Sequence, residues 1–281
     1  MTTVAPPVLL GPGEGESTHE RFHIKAGLDQ LVVTEFNHDG SDEFATPPHV
    51  HHRHADAFYM LEGKMRFHFV DSERVLGPGD FIFAPPDLVH GFRSGGLGPV
   101  RMLNFHAPGM GFAKRLLGDG SFEFDQYDPP DDGGRPREDG RVGRSTAERL
   151  QLGEAEALIF FGGDDGIGSM TLTELSLPPG YDGPLPHVHD EMVDSVYVLE
   201  GEIELLLGDE THKASPGGYA LVPPGNVHTF GNPGDAPARV LNIQSPGGLE
   251  GYLREVAHAG PEAANPEAMA EIASKYDFRP A

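Results

Sequence analysis

Short runs of alternating apolar and polar residues recur along the chain, cut at regular intervals by glycine and proline. Met65, Phe67 and Phe69 alternate with Arg66 and His68. A period of two places the apolar members on one face of a strand. Ile203, Leu205 and Leu207 repeat that face further on. The apolar runs Phe81–Ala84 and Tyr219–Val222 follow Pro78-Gly79-Asp80 and Pro216-Gly217-Gly218, both β-turn signals. Glu62-Gly63 and Glu200-Gly201 sit where a tight hairpin needs positive φ. Many short strands punctuated in this way predict an all-β sandwich or barrel. Helices are expected at 110–117 and 249–258. A last one is expected to start at Asn265 as N-cap, with Pro266 in its first turn, and to end near Tyr276.

The pattern is written twice. Phe58-Tyr59-Met60-Leu61-Glu62-Gly63 matches Val196-Tyr197-Val198-Leu199-Glu200-Gly201, 138 positions later. Arg101-Met102-Leu103-Asn104 matches Arg239-Val240-Leu241-Asn242 at the same spacing, and Ala107-Pro108-Gly109 matches Ser245-Pro246-Gly247. Upstream the spacing drifts, to 139 for Thr34-Glu35 against Thr173-Glu174 and to 140 for Gly13-Glu14 against Gly153-Glu154. Two similar domains are therefore expected, at 1–117 and 152–281. Between them, 118–151 is rich in Asp, Gly, Pro and Arg and reads as an exposed linker.

Composition narrows the function classes. The 281 residues carry a net charge of −24, a field that repels nucleic acid and anionic membrane surfaces. With no cysteine there is no disulfide, thiolate ligand or thiol nucleophile. No apolar stretch is long enough to span a bilayer, and residues 1–7 show no secretory pattern, so a cytoplasmic location is expected.

Histidine carries the chemistry. His49-Val50-His51 is followed by Asp56 and His90; His187-Val188-His189 is followed by Asp194 and His228, each 138 positions after its partner. Residues i and i+2 of a strand point to one face, so each His-x-His aims two imidazoles at one point. A carboxylate from the neighbouring segment and a third imidazole complete a facial set, leaving positions for water or substrate. Mixed nitrogen and oxygen donors suit Fe, Ni, Mn, Co, Cu or Zn, one divalent ion per domain. Other groups read differently. Asp190 and Glu191 are expected as surface charges, and His52 and His54 as exposed or outer groups. His68 is expected in packing, and His106 and its counterpart Gln244 as polar groups in the mouth of a barrel. His19, His23, His38, His212 and His258 have no matched partner and are expected in solvent.

His-x-His-x4-Asp-x6-Gly, then Pro-Gly-Asp, Pro-Pro-x-x-x-His and a late Asn, resembles the two signature motifs of the cupin superfamily. The wording around Phe58–Gly63, the Pro-Pro turn and the closing Pro-Gly is most similar to quercetin dioxygenase-like cupins. The resemblance implies two tandem cupin jelly-roll β-barrels with short helices at the domain ends. It implies metal ligands His49, His51, Asp56 and His90 in the first, and His187, His189, Asp194 and His228 in the second. The family's usual fourth ligand is Glu; Asp stands there in both copies and reaches one methylene less. The first copy also has Asp87 and Ser94 where Gly225 and Asn232 follow the pattern, so the second copy is the better candidate for activity.

The leading expectation is a metal-dependent dioxygenase acting on a small enol, hydroxyketone or aromatic substrate, with Asp56 or Asp194 as general base and dioxygen as second substrate. Around it, Phe58, Phe67, Phe83, Val196 and Leu205 would form an apolar pocket. The alternatives are a non-oxidative decarboxylase or isomerase, and a metal-holding binding protein without turnover. The tandem copies suggest a monomer resembling a cupin dimer, or a homodimer.

Overall fold

The computed structural model describes residues 4–19, 21–119, 123–135, 140–163, 168–261 and 265–281. Two compact units emerge: Gly15–Thr146, and Met1–Glu14 together with Ala147–Ala281. In the first unit a seven-stranded sheet runs in the order Arg141–Val142, Phe81–Ala84, Ala55–Gly63, Val100–Ala107, Val32–His38, Phe22–Gly27, Glu16–His19. A four-stranded sheet, Ala45–His49, His90–Arg93, Met65–Phe69, Glu73–Leu76, closes over it. The second unit repeats this plan. Its seven strands are Val8–Leu10, Tyr219–Val222, Val193–Glu200, Ala238–Ser245, Thr171–Leu177, Ala155–Phe161 and Glu148–Leu152. Its five-stranded sheet is Glu210–Ala214, Ile203–Leu207, His228–Gly231, His187–Val188 and Arg279–Pro280. Each unit is a jelly roll of two sheets with one core between them. The barrels expected from the sequence are not closed: among the described residues no continuous ring of hydrogen-bonded strands joins the two sheets.

The alternating residues fill that core as the period of two requires. In the first unit it is aromatic: Phe36, Phe58, Phe67 and Phe92 with Met60, Met65 and Met102. Phe58 lies 5.3 Å from both Phe67 and Phe92 between ring centroids. In the second unit the core is aliphatic, with Leu175, Val196, Val198, Leu205 and Val240 around Phe230. Gly63 has φ 73, and a Cβ there would sit 2.0 Å from the Pro99 carbonyl oxygen. Only glycine closes this hairpin.

Asp87, standing where Gly225 stands in the other unit, also has positive φ, 68 against 85. Aspartate tolerates this region better than most residues. The reason for the conformation is shared: the Asp87 N–H donates to the His51 carbonyl at 2.7 Å and the Gly225 N–H to the His189 carbonyl at 2.8 Å. Ser94 replaces Asn232 with a narrower role. Its Oγ accepts from Phe44 N–H, whereas the Asn232 amide donates to three backbone carbonyls.

The units do not begin and end where the sequence suggested. Strand Val8–Leu10 pairs with Tyr219–Val222, Val8 opposite Leu221, so the first residues complete the second unit and cover a sheet edge. The expected linker 118–151 belongs to structure as well. Phe124 and Asp125 are buried, Arg141–Val142 pairs with Phe83 and Ile82, and Glu148–Leu152 opens the second unit's sheet. Residues 120–122 and 136–139 of that stretch lie outside the described residues. The charged composition misled because one buried aspartate, described below, satisfies many donors at once.

The helices fall at Phe112–Leu116, Leu249–Ala259 and Pro266–Ala273. Asn265 caps the last one, its Oδ1 accepting from Glu267 N–H at 2.9 Å. Among the described residues no helix is long and apolar enough to cross a membrane.

Candidate metal centres

The strand register brings the sequence-predicted ligands together in both units. His49 is the cross-strand partner of His90, and His187 of His228. Asp56 and Asp194, on the facing sheet, complete each group. All eight residues are buried. In each group of four, one donor atom per residue lies within 4.8 Å of the others.

What fixes the imidazoles is a set of backbone carbonyls. In the first unit His49 Nδ1 donates to the Pro47 carbonyl (2.9 Å), His51 Nδ1 to Asp125 (2.5 Å) and His90 Nδ1 to Leu88 (2.9 Å). In the second, His187 Nδ1 donates to Leu185 (2.9 Å), His189 Nδ1 to Asp277, and His228 Nδ1 to Asn226 (3.1 Å). A ring that donates through Nδ1 presents an unprotonated Nε2 when neutral, the form a metal binds. His51 Nε2 and His189 Nε2 are buried without a hydrogen-bond partner. A buried polar atom left unpaired is costly, and a cation at this point relieves the cost. The donor set and these orphaned nitrogens fit a transition metal.

The shortened carboxylate lies beside the imidazoles in both units. Asp56 Oδ2 lies 3.2 Å from His90 Nε2 and 3.5 Å from His51 Nε2. Asp194 Oδ2 lies 3.2 Å from His228 Nε2 and 3.8 Å from His189 Nε2. The other oxygen is turned outward and held. Asn104 Nδ2 donates to Asp56 Oδ1 at 2.5 Å, and Asn242 Nδ2 to Asp194 Oδ1 at 2.6 Å. Asn104 and Asn242, on the strands Val100–Ala107 and Ala238–Ser245, thus aim the carboxylates.

Electrostatics make each niche attractive to positive charge. Burial alone would raise the Asp56 carboxyl, but His106, His51 and His90 around it hold it well below the usual range. Asp194 is likewise held far down, against its burial, by His189 and His228. Burial, with the neighbouring imidazoles, pushes His49 down to about 4 and His187 down to about 3, so both rings are neutral at physiological pH. His189 moves upward: its burial opposes charge, but the nearby Asp194 carboxylate and the Asp277 carbonyl at its Nδ1 outweigh it.

Around these matched groups the two centres differ. In the first unit His54 is fully buried, not exposed. Its Nδ1 meets the Asp125 carboxylate at 2.9 Å, and its Nε2 lies 2.9 Å from His106 Nδ1. His106 Nε2 donates to Asn104 Oδ1 at 3.0 Å, so a polar chain runs from Asp125 to Asp56. His51, His54 and His106 form a further cluster of donors. Burial lowers His54 to about 4 and His106 well below its ordinary value. Phe112 packs on His106 at 3.8 Å, and Phe124 lies 5.5 Å from His54. In the second unit Met192 takes the place of His54. Gln244, at the position of His106, donates directly to Asp194 Oδ1 at 2.9 Å. A cavity of about 400 Å³ opens there, lined by His187, Asp194, Asn242, Leu175, Tyr252 and Phe278 among others.

Other expectations sort as follows. His106 and Gln244 do line the centres. His52 is half-exposed beside Asp87, and Asp190 and Glu191 are exposed. His68 is not a packing residue; it sits on the outer face, accepting from Arg93 and facing Glu73. His38 is buried against Asp42 and accepts from Gly40 N–H, whereas it was expected in solvent. His258 is exposed as expected, and His212 is half-exposed. Asp125 and Asp277 were missed. Their only signal is an aromatic residue before each, Phe124 and Tyr276, at a spacing different from the rest of the repeat.

Two jelly rolls in one chain, each with three histidines and a carboxylate at its centre, define a duplicated metal-site β-protein. The Cupin domain family matches residues 39–106 and again 173–244, and the chain belongs to that family as a two-domain cupin. Among characterised relatives, quercetin 2,3-dioxygenase of Bacillus subtilis (strain 168) is 32% identical over 98 residues, 32% of this chain and 28% of that protein. Germin-like protein subfamily 1 member 4 of Arabidopsis thaliana is 30% identical over 90 residues, 29% of this chain and 40% of that protein. The matches therefore span less than half of either relative. Among solved structures, a variant of oxalate decarboxylase from Bacillus subtilis superposes with TM-score 0.60 at 14% identity, covering 88% of this chain and 78% of that one. That likeness is one of fold.

Proposed function

We propose that both units bind a divalent transition metal, through His49, His51, Asp56 and His90 and through His187, His189, Asp194 and His228. We further propose that the second is the reacting centre of a dioxygenase for a neutral enol or hydroxyketone. The observation that carries this reading is the second unit's cavity, which reaches both His187 and Asp194. Its volume falls in the range of small-molecule sites. Its walls are Leu152, Leu175, Leu249, Leu253, Val256 and Met269, with the polar residues His187, Asp194, Asn242 and Tyr181 gathered among them. Among the described residues no Lys or Arg lines it. A small dicarboxylate would meet no cation from the protein there, and this weighs against the decarboxylase alternative. A flat apolar enol meets surface of its own kind, with one carboxylate to take its proton.

A metal held by these residues would supply Lewis-acid and redox chemistry toward an enolic oxygen and dioxygen. The chain's own part is more specific. Asn242 and Gln244 occupy Asp194 Oδ1, so a substrate proton can be received only at Oδ2, on the side of the imidazoles. The apolar wall excludes water from the substrate while it reacts. The first unit keeps the ligands, but its interior is filled by Phe36, Phe58, Phe67 and Phe92 and its mouth by His54, His106, Phe112 and Phe124. It is proposed to hold metal without admitting a substrate of this size.

The test pairs elemental analysis with oxygen-electrode traces. After anaerobic reconstitution with Fe, Ni, Mn or Co, about two equivalents per chain are expected. Oxygen uptake should follow addition of a flavonol or a cyclic diketone. Turnover without oxygen consumption would transfer the assignment to non-oxidative chemistry. Metal well below one equivalent would end it.

A further inference from the structure

Each centre is closed by a segment from beyond the repeated strands. In the first unit residues 124–127 lie along the His49–His51 strand, with Val50 bridged to Tyr127. In the second unit strand Arg279–Pro280 pairs with His187–Val188, Val188 opposite Arg279. The two segments correspond at a shift of 152 (125 to 277, 127 to 279), not 138.

The aspartate of each segment does the same two things. Its backbone carbonyl accepts from Nδ1 of the second histidine, His51 or His189. Its carboxylate gathers the backbone N–H groups that follow that histidine. Asp277 Oδ1 accepts from Asp190 N–H at 2.6 Å, and Oδ2 from Glu191 (3.0 Å) and Met192 (2.7 Å). Asp125 accepts from His52 (3.4 Å) and Arg53 (2.7 Å), and its third partner is the His54 ring. The turn between the His-x-His pair and the carboxylate ligand is thereby tied to the carbonyl that orients the ring. Three charge-assisted hydrogen bonds to one carboxylate hold far better than neutral ones. Those amide donors hold the Asp277 carboxyl below its usual range, against its own burial. Phe278 completes the closure, stacked on His187 at 4.0 Å and on Tyr252 at 4.6 Å.

From this we infer that Asp277 is a positioning residue for the second metal centre, and that the C-terminal segment 276–280 is a latch on which metal retention depends, as 124–127 is for the first. The inference rests on the proposed metal sites. It concerns how the ligand is held, not which reaction follows.

The experiment uses the full chain carrying His49→Ala and His51→Ala, so that only the second centre binds. Cobalt is the probe. Affinity is read by competition with a chromophoric chelator, and coordination by the visible ligand-field bands. Asp277→Ala keeps the backbone carbonyl that accepts from His189 but removes the carboxylate that fixes its place. It is expected to weaken cobalt binding about 10-fold, the low end of the effect of disturbing a ligand's outer partner, and to change the band pattern. Asp277→Asn keeps one acceptor oxygen and should fall between Asp277→Ala and the parent. Far-ultraviolet circular dichroism checks the fold. If Asp277→Ala does not fold, Asp277→Asn alone carries the test through its intermediate affinity. Parent-like affinity and spectrum in a folded Asp277→Ala, or in Asp277→Asn, would overturn the latch while leaving the metal site standing. Failure of the parent to bind cobalt would instead remove the site itself.

Discussion

The two centres share their donors and differ in what surrounds them. Both present three Nε2 atoms fixed by carbonyls at Nδ1, and both turn one aspartate oxygen inward while an asparagine holds the other. Around this common set, Phe36, Phe58 and Phe67 of the first unit become Leu175, Val196 and Leu205 in the second. Of the three, Leu175 lines the second unit's cavity. His54 and His106 give way to Met192 and Gln244, and a chain of buried imidazoles becomes one direct amide contact to Asp194. The ligand set sets metal chemistry; the residues behind it decide whether a substrate can arrive.

The comparison breaks most sharply by removing ligands one centre at a time. His187→Ala with His189→Ala should lower oxygen-coupled turnover by about 100-fold or more, since even outer-partner losses reach ~10–100-fold in metal-site function. His49→Ala with His51→Ala should remove one metal equivalent and leave most turnover. Equal loss from both pairs would refute the division between centres. Next, Leu175→Phe, which copies the first unit, should shrink the cavity and reduce turnover about tenfold with both metals retained. The overpacking should cost about 1–3 kcal/mol, and unchanged kinetics would show that the cavity is not the substrate's place.

Acid should separate the metal-free units by a smaller margin. His49 and His54, pushed to about 4, and His106, also lowered by its burial, stay neutral in the folded first unit below the pH at which unfolded histidines charge, near 6.5. Between about 6.5 and 4 the unfolded chain therefore binds more protons, and stability falls as pH falls. The limiting slope is about 1.4 kcal/mol per pH unit per group. In the second unit His187 acts in the same sense, but His189, raised, acts in the opposite sense: its contribution is present at low pH and lost as pH rises. Hydrogen exchange, corrected for intrinsic rates, should show the first unit loosening earlier on acidification. The reverse order would contradict the imidazole balance. The smallest effect is expected at a helix that lines the second cavity through Met269. Asn265→Ala removes its cap and should cost about 1 kcal/mol, read as a slightly lower melting temperature.

Much of the candidate site was legible because its signals are local. His-x-His on a strand, and a carboxylate five residues on, declare their geometry through a period of two. Asp56 and Asp194 could be placed for the same reason, whereas Asn104 and Asn242 showed only as matched residues of the repeat without a role. His54 was only half placed: its counterpart is Met192, which left it either exposed or behind the ligands, and only the fold shows it buried against Asp125. Asp125 lay in a stretch so polar that it reads as linker, yet it is wholly buried because His52, Arg53 and His54 supply its donors.

The sequence by itself determined the duplication, the all-β class and the eight converging side chains, since strand periodicity and turn chemistry act over a few residues. Only the tertiary structure decided that residues 8–10 complete the second unit, that 124–127 and 276–280 lie against the centres, and that a cavity in the second unit reaches His187 and Asp194. Those outcomes depend on pairings across long stretches of chain and on the summed volume of side chains from many strands, and neither leaves a periodic mark in the order of residues.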